Sequence, residues 1–442
     1  MERKGFLQLV AEDLNNVYGG DYSDVTVVFP NKRASLFMNN QLTALGGSRP
    51  MWTPQYVTIS EIFESLSDFV VADSMYLVCT LFQVYCRVMG RGESLDRFYA
   101  WGELMVSDFD DIDNNMADAK ALFANISDLD DLTGYEYMSE NQREAIRQFF
   151  SDFNANKKKD LKENFQSVWQ HLYAIYEEFR HVLMQERKAY SGMLKRHVVE
   201  RIGMEPEACA RRLASKHYVV VGFNVLNETE KQLFRFLKME RETLFYWDYD
   251  RAYIDYEAGS FILANKQMFP NRFEGSDYYD NFATDAEKQL AIISASTEDA
   301  QCRYLSQWLQ QPEISIDNKT AIVLCNEQIL GSVLHSIPAV IDDKPVMLNV
   351  TMGFPLSDTP VYSFICALLD LQTHGRTQAG NWRYTQVAAV LKHPYTAWLS
   401  AGACTDLLTM LNKQAILYPG DEIFSCNGFL TLLFTFKYSG FI

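Results

Sequence analysis

Residues 25–38 read VTVVFPNKRASLFM. Val25, Thr26, Val27 and Val28 form an unbroken apolar or β-branched run, the pattern of a short buried strand. Phe29-Pro30-Asn31 ends it, and Lys32–Leu42 continues as an amphipathic helix. A strand that enters a helix through a polar Asn-Lys-Arg turn presents backbone N–H groups and positive charge at one edge of a sheet. That edge is a natural seat for phosphate. A nucleotide-hydrolysing domain of this layout carries GxxxxGK[ST] one strand earlier. Met1–Asp24 contains no such motif, and no Gly-Lys pair occurs anywhere in the 442 residues.

Outward from this segment the chain alternates in character. Residues 1–60 read as helix, strand, helix and a second strand at Gln55–Thr58, and Thr58-Ile59-Ser60-Glu61 has the spacing of a helix capping box. Residues 61–215 read as almost wholly helical. In Glu163–Glu186, Phe165, Val168, Trp169, Leu172, Ile175, Phe179, Val182 and Leu183 recur at steps of three and four, one stripe on a helix. Met75–Met89 and Leu95–Phe109 behave alike. Residues 216–290 return to α/β, with strands at His217–Val221 and Thr243–Trp247 around a helix at Asn227–Leu237; Asp248–Asp285 reads as a long surface connection. In residues 291–442 and just before them, strands are expected at Leu290–Ser294, Thr320–Leu324 and Val346–Val350, each followed by a helix.

Composition bounds the function. Hydrophobic residues make up 48% and aromatics 14%, values of a folded chain. No apolar run approaches the roughly 18 residues that span a bilayer, so no membrane partner is expected. The N-terminal helix is interrupted by charge, unlike a signal peptide, and the eight cysteines form no CxxC pair; they read as reduced thiols in the cytoplasm. The net charge of −17 opposes a surface coated for non-specific nucleic-acid binding. Arg187–Lys216 is nonetheless basic: Arg187, Lys188, Lys195, Arg196, Arg201, Arg211, Arg212 and Lys216 stand against three glutamates. This fits either a groove lining the path of a nucleic-acid strand or a solvated helix face.

Chemistry-bearing motifs fall away one by one. The acidic run Asp108–Asp113, read as an EF-hand loop from Asp111, has Met116 in place of the glycine and Leu122 in place of the bidentate glutamate. It reads as a solvated face or as helix N-termini favoured by the dipole. Gly222 stands at the exit of the 217–221 strand, where a metal-binding carboxylate would be needed for nucleotide hydrolysis. There is no GxSxG, HExxH or GxGxxG, and Gly420-Asp421-Glu422 lacks the nearby lysine of a PD-(D/E)xK nuclease. No catalytic residue, metal site, nucleotide site or cofactor is expected.

The residues that remain carry a resemblance. PNKRASLFM with its strand resembles motif Ia of UvrD/Rep-type helicases, which touches the DNA backbone, and Val57-Thr58-Ile59-Ser60 resembles the following single-strand-contacting motif. Val219–Phe223 resembles the degenerate Walker B strand of AddB-type subunits. ASTEDAQCRYLSQWL at 295–309 and AIVLCN at 321–326 resemble the opening of a second RecA-like domain, with Asn326 where its arginine would be. Val350–Leu356 and Leu391–Tyr395 are similar to later parts. Most of the chain thus resembles the N-terminal, helicase-like half of AddB-like proteins of Bacteroidetes type, PD-(D/E)xK exonucleases whose nuclease domain lies beyond this sequence. The resemblance implies two RecA-like parallel-sheet α/β domains of P-loop NTPase, helicase superfamily 1 type. The first would comprise 1–60 and 216–290 with an all-helical insertion, 61–215; the second, 291–442, would be incomplete. It implies an ATPase-inactive module of a DNA end-processing and recombinational repair complex. Single-stranded DNA or duplex ends would be contacted by Asn31, Lys32, Arg33, Thr58 and Ser60, and a helicase-nuclease subunit is a possible partner. The alternative is a scaffold that holds a partner helicase subunit without gripping DNA.

Overall fold

The computed structural model describes residues 4–47, 50–90, 94–125, 158–280, 290–311, 316–317, 320–341 and 343–435, the side chains of 124–125, 158–170 and 258 excepted. The chain divides into two compact units, Met1–Gln289 and Leu290–Ile442.

The first unit opens with α1 (Phe6–Tyr18), β1 (Val25–Phe29), α2 (Arg33–Gly46), β2 (Gln55–Thr58) and α3 (Ile59–Leu66). A helical block follows: a two-residue strand β3 (Val70–Val71), α4 (Ser74–Met89), α5 (Leu95–Asn114), α6 (Ala119–Asn125), α7 (Lys158–Gln185), β4 (Lys188–Ala189), α8 (Ser191–Met204) and α9 (Pro206–Arg211). The chain then returns through β5 (His217–Val221), α10 (Glu228–Glu240), β6 (Glu242–Tyr246) and α11 (Ser260–Met268).

The four longer strands form one parallel sheet in the order β2-β1-β5-β6, with Val28 beside Val57 and Val220. All five residues of β1 are buried because this central strand is covered on both faces, which is why it reads as a continuous apolar run without alternation. The pleat still sorts its side chains. Val25, Val27 and Phe29 join Val219, Val221 and Tyr246 against Val10, Leu14, Met38 and Leu42 of α1 and α2. Val28, Tyr218, Val220 and Phe245 face the helical block, whose core includes Phe63, Leu81, Phe98, Phe109, Ile175, Phe179 and Val198. In α7, Leu172, Ile175, Phe179 and Leu183 of the expected stripe are buried; the side chains of Phe165, Val168 and Trp169 lie outside the described residues. Asp248–Asp280 is not a bare connection: three 3-10 turns and α11 lie within it.

The second unit holds α12 (Glu298–Leu309), α13 (Leu330–Ser336), an antiparallel ribbon of β7 (Val340–Ile341) and β8 (Lys344–Pro345), then α14 (Pro360–His374), α15 (Tyr384–Leu391), α16 (Pro394–Leu399), α17 (Ala403–Lys413) and α18 (Gly428–Thr435). Leu371, Trp382, Val387, Leu407, Phe424 and Phe434 form its core. The strands expected at Leu290–Ser294, Thr320–Leu324 and Val346–Val350 are absent: none of these stretches joins a ladder. Leu290, Ile292, Val323 and Met347 are 83–89% exposed. An apolar run becomes a parallel strand when neighbours pair it and layers cover both faces, and these segments have neither among the described residues. No described helix is long and apolar enough to cross a membrane.

Candidate nucleic-acid and partner interface

The sheet order places β2 and β5 on opposite sides of β1, so the carboxyl ends of β1 and β5 form the switch point at which open α/β sheets hold ligands. Here the two exits are built differently. Gly222 leaves β5 at φ 75°, a left-handed conformation that glycine adopts at low cost. The ring of Phe6, from the first turn of α1, lies 4.0 Å from where a Cβ on Gly222 would stand. An aromatic ring therefore stands next to the strand exit, and Gly222 itself offers no carboxylate.

The exit of β1 carries Asn31, Lys32 and Arg33. The Asn31 side-chain oxygen accepts from the backbone N–H of Arg33 (3.1 Å) and Ala34 (3.3 Å), so it caps α2 and uses donors that a phosphate would need. Across the sheet, Phe29 is in register with Thr58. Thr58 begins α3 with a complete capping box: its Oγ1 accepts from Glu61 N–H, and its own N–H donates to Glu61 Oε2 at 2.8 Å. The same Glu61 carboxylate binds Lys32 Nζ at 2.6 Å. The Lys32 ammonium, then the Thr58 N–H, hold the Glu61 carboxyl below its ordinary range, and Glu61 raises Lys32. Asn31, Lys32 and Glu61 line a cleft of about 130 Å³ with Phe29, Ser35, Tyr56 and Val57. Tyr56 stacks near Phe29, and its hydroxyl is buried without a hydrogen-bond partner among the described residues. Burial pushes that phenol above its usual range.

The expected contact residues thus separate into two groups. Asn31, Lys32 and Thr58 are drawn together, with the Asn31 side-chain oxygen, the Thr58 hydroxyl and N–H, and one bond of the Lys32 ammonium engaged within the protein. Arg33 and Ser60 lie outside the cleft lining, both exposed, and the Arg33 guanidinium has no ion-pair partner among the described residues. Leu36 and Phe37, one turn further along α2, are 66% and 52% exposed. Glu61 is the site residue that sequence reading missed. Its capping spacing with Thr58 was visible, whereas its reach to Lys32 depends on β1 and β2 being neighbours.

The basic stretch is largely ion-paired. Six of its eight basic side chains pair with carboxylates: Lys188 with Glu186, Lys195 with Glu230, Arg196 with Asp113 and Glu200, Arg201 and Arg212 with Asp68, and Lys216 with Asp24. Four of those partners, Asp24, Asp68, Asp113 and Glu230, are distant in sequence, which is why the segment looked unbalanced.

Asp113 corrects the reading of the acidic run as a solvated face or helix N-terminus, since the run ends α5. Its side chain is fully buried, accepts from the hydroxyls of Tyr176 (2.5 Å) and Tyr190 (2.6 Å), and lies 3.2 Å from Arg196 and 3.9 Å from Arg180. Neighbouring Asp110 accepts from Gly192 N–H at 2.6 Å. The signal was in the spacing: Asp113 follows Phe98, Trp101, Met105 and Phe109 on the buried face of α5. Among the described residues no group of three metal-ligating side chains converges.

Ser363 and His393 in the second unit meet at 3.1 Å without forming a nucleophile–base pair. His393 Nδ1 accepts from the Tyr395 N–H at 3.2 Å, so Nε2 carries the ring proton of the neutral form and cannot take one from Ser363. No protein-family model and no curated protein matches the chain.

Proposed function

We propose that the chain is a non-catalytic, helicase-like α/β module that serves as a protein-interaction scaffold in a DNA end-processing assembly. One observation carries the preference for a scaffold over a DNA grip: Glu61 binds Lys32 and Thr58 together, so the Lys32 charge at the β1 exit is paired and the β2 exit is capped. A phosphate arriving there shares Lys32 with a carboxylate and is repelled by it. The ion-paired basic stretch and the ring of Phe6 beside Gly222 support the same reading. The resemblance to AddB-like subunits, which implies a second RecA-like domain in 291–442, supports the assignment to end processing.

DNA-backbone contact through Asn31, Lys32, Arg33, Thr58 and Ser60 is the second reading. Exposed Arg33 with Phe37 one turn away favours it, a positive charge beside a ring on which a base can stack. Titrating single-stranded DNA across a salt series separates the two. The scaffold reading expects Lys32→Ala with Arg33→Ala to leave DNA affinity unchanged. A tenfold loss at low salt, with a salt slope shallower by about 0.7 per contact removed, would restore the DNA grip. Glu61→Gln sharpens the result, because freeing Lys32 raises DNA affinity several-fold only where this turn is the contact.

A further inference from the structure

We propose that the loop between β6 and α11 is a docking surface for an arginine-rich segment of a partner protein. Tyr253, Tyr256 and Phe261 are 47%, 68% and 50% exposed, and Asp255 and Glu257 stand exposed between them. Neither carboxylate has an ion-pair partner among the described residues. Val225, 59% exposed, stands on the loop that Asn265 of α11 tethers by donating to Asn224 O at 2.6 Å.

The surface is built rather than slack. Gly259 packs so closely on the preceding turn that a Cβ would stand 2.4 Å from Tyr253 O and 2.5 Å from Ile254 Cα. Backbone bonds from Tyr256 N–H to Tyr253 O (3.1 Å) and from Gly259 N–H to Tyr256 O (2.9 Å) fix the aromatic spacing. Ile262 anchors α11 in the core. A preorganised surface loses little entropy when a ligand binds.

Charge decides the occupant. Residues 248–280 contain seven carboxylates and three basic side chains. Each basic side chain is already paired: Arg251 with Asp280, Lys266 with Glu274, and Arg272 with Asp13. The excess is negative and repels a nucleic-acid backbone. Alternating rings and carboxylates suit arginine, whose planar cation stacks on tyrosine and bridges a carboxylate through two N–H groups. Lysine offers a point charge and loses the second contact.

The proposal rests on the scaffold reading, and the two fail separately. The probe is a fluorescein-labelled twelve-residue peptide of alternating Arg and Gly, with Lys–Gly and Glu–Gly versions, titrated against the full chain by anisotropy at two salt concentrations. The Arg peptide should bind at least several-fold tighter than the Lys peptide, and the Glu peptide should not bind. Tyr253→Ala with Tyr256→Ala should weaken Arg-peptide binding about tenfold, while Tyr256→Phe retains it. Asp255→Asn with Glu257→Gln should weaken binding several-fold and flatten its salt dependence. Glu207→Gln with Asp406→Asn removes the same charge elsewhere and should change little. Equal losses from both charge pairs, Lys binding as tight as Arg, or no response to the tyrosine changes would overturn the proposal. DNA binding that depends on Lys32 and Arg33, with loop-dependent peptide binding intact, would overturn the scaffold reading alone. Circular dichroism of each variant confirms that the fold is retained.

Discussion

At the scale of single residues, the strongest expectation concerns Asp113. A fully buried carboxylate is tolerable because two tyrosine hydroxyls and two guanidinium groups meet it. Burial and the Asp113 charge together raise the Tyr190 phenol well above its ordinary range, so both tyrosines remain donors. Asp113→Ala leaves Arg180 and Arg196, which are 14% and 18% exposed, without their shared counter-charge. Breaking a buried pair from one side costs about 3–5 kcal/mol. Urea unfolding should show that loss, with Asp113→Asn less damaged because it keeps an acceptor. A change under 1 kcal/mol for the alanine variant would mean the network is not a stabilising centre. His197, packed 4.6 Å from Phe69, gives a pH dependence. Burial first, then the Arg201 charge, holds its pKa below the ordinary 6.5. Its neutral form is therefore the folded one: this contribution is complete above the unfolded pKa and is lost as pH falls from there to the folded pKa. His197→Gln should flatten the parent's stability loss between pH 7.5 and 5.5, and parallel curves for the two proteins would count against it.

At the scale of elements, close packing sets the tolerances. Gly192 in α8 presses on α5, where an added Cβ would stand 2.3 Å from Asp110 O and 3.2 Å from Asn114 N. Alanine gains about 1 kcal/mol of helix propensity, but the clash is with backbone that cannot swing aside. The net effect of Gly192→Ala is expected to be a loss of about 1–3 kcal/mol, read from the denaturation midpoint. The capping box at α3 makes a smaller demand. Thr58→Ala removes one acceptor and should cost about 1 kcal/mol without changing the sheet. The first sheet was legible because each of its strands combines a β-branched or aromatic run with a clear stop, as Pro30 after Phe29 and Gly222 after Val221 show. The Asn227–Glu230 cap was equally local. What sequence could not show was the meeting of Lys32 with Glu61, of Asp68 with Arg201 and Arg212, or of Asp113 with helices on either side. Those contacts depend on which strands and helices become neighbours, and local spacing carries no record of that.

At the scale of the whole molecule, similar apolar runs have different fates in the two units. VTVVF at 25–29 and HYVVV at 217–221 pair side by side and are covered on both faces. Leu290–Ser294, Thr320–Leu324 and Val346–Val350 have comparable composition, and the Thr297 and Thr359 caps that begin α12 and α14 are formed. The segments themselves join no ladder. Strand propensity reports how well a side chain fits a pleated, half-buried surface; it does not supply that surface. Helices capped through local contacts form without the sheet, whereas a parallel sheet needs several distant segments at once. Hydrogen exchange followed by mass spectrometry tests this difference directly. Amides of Val27, Val28, Val219 and Val220, held in the central ladders, should exchange only through large openings of the first unit. Amides of Ile292, Ile293, Val323 and Leu348 should exchange within seconds at neutral pH. Protection of all three stretches in the isolated chain, comparable to that of β1 and β5, would mean that a second parallel sheet is already assembled. Protection that appears only with a bound partner would make sheet completion part of complex formation.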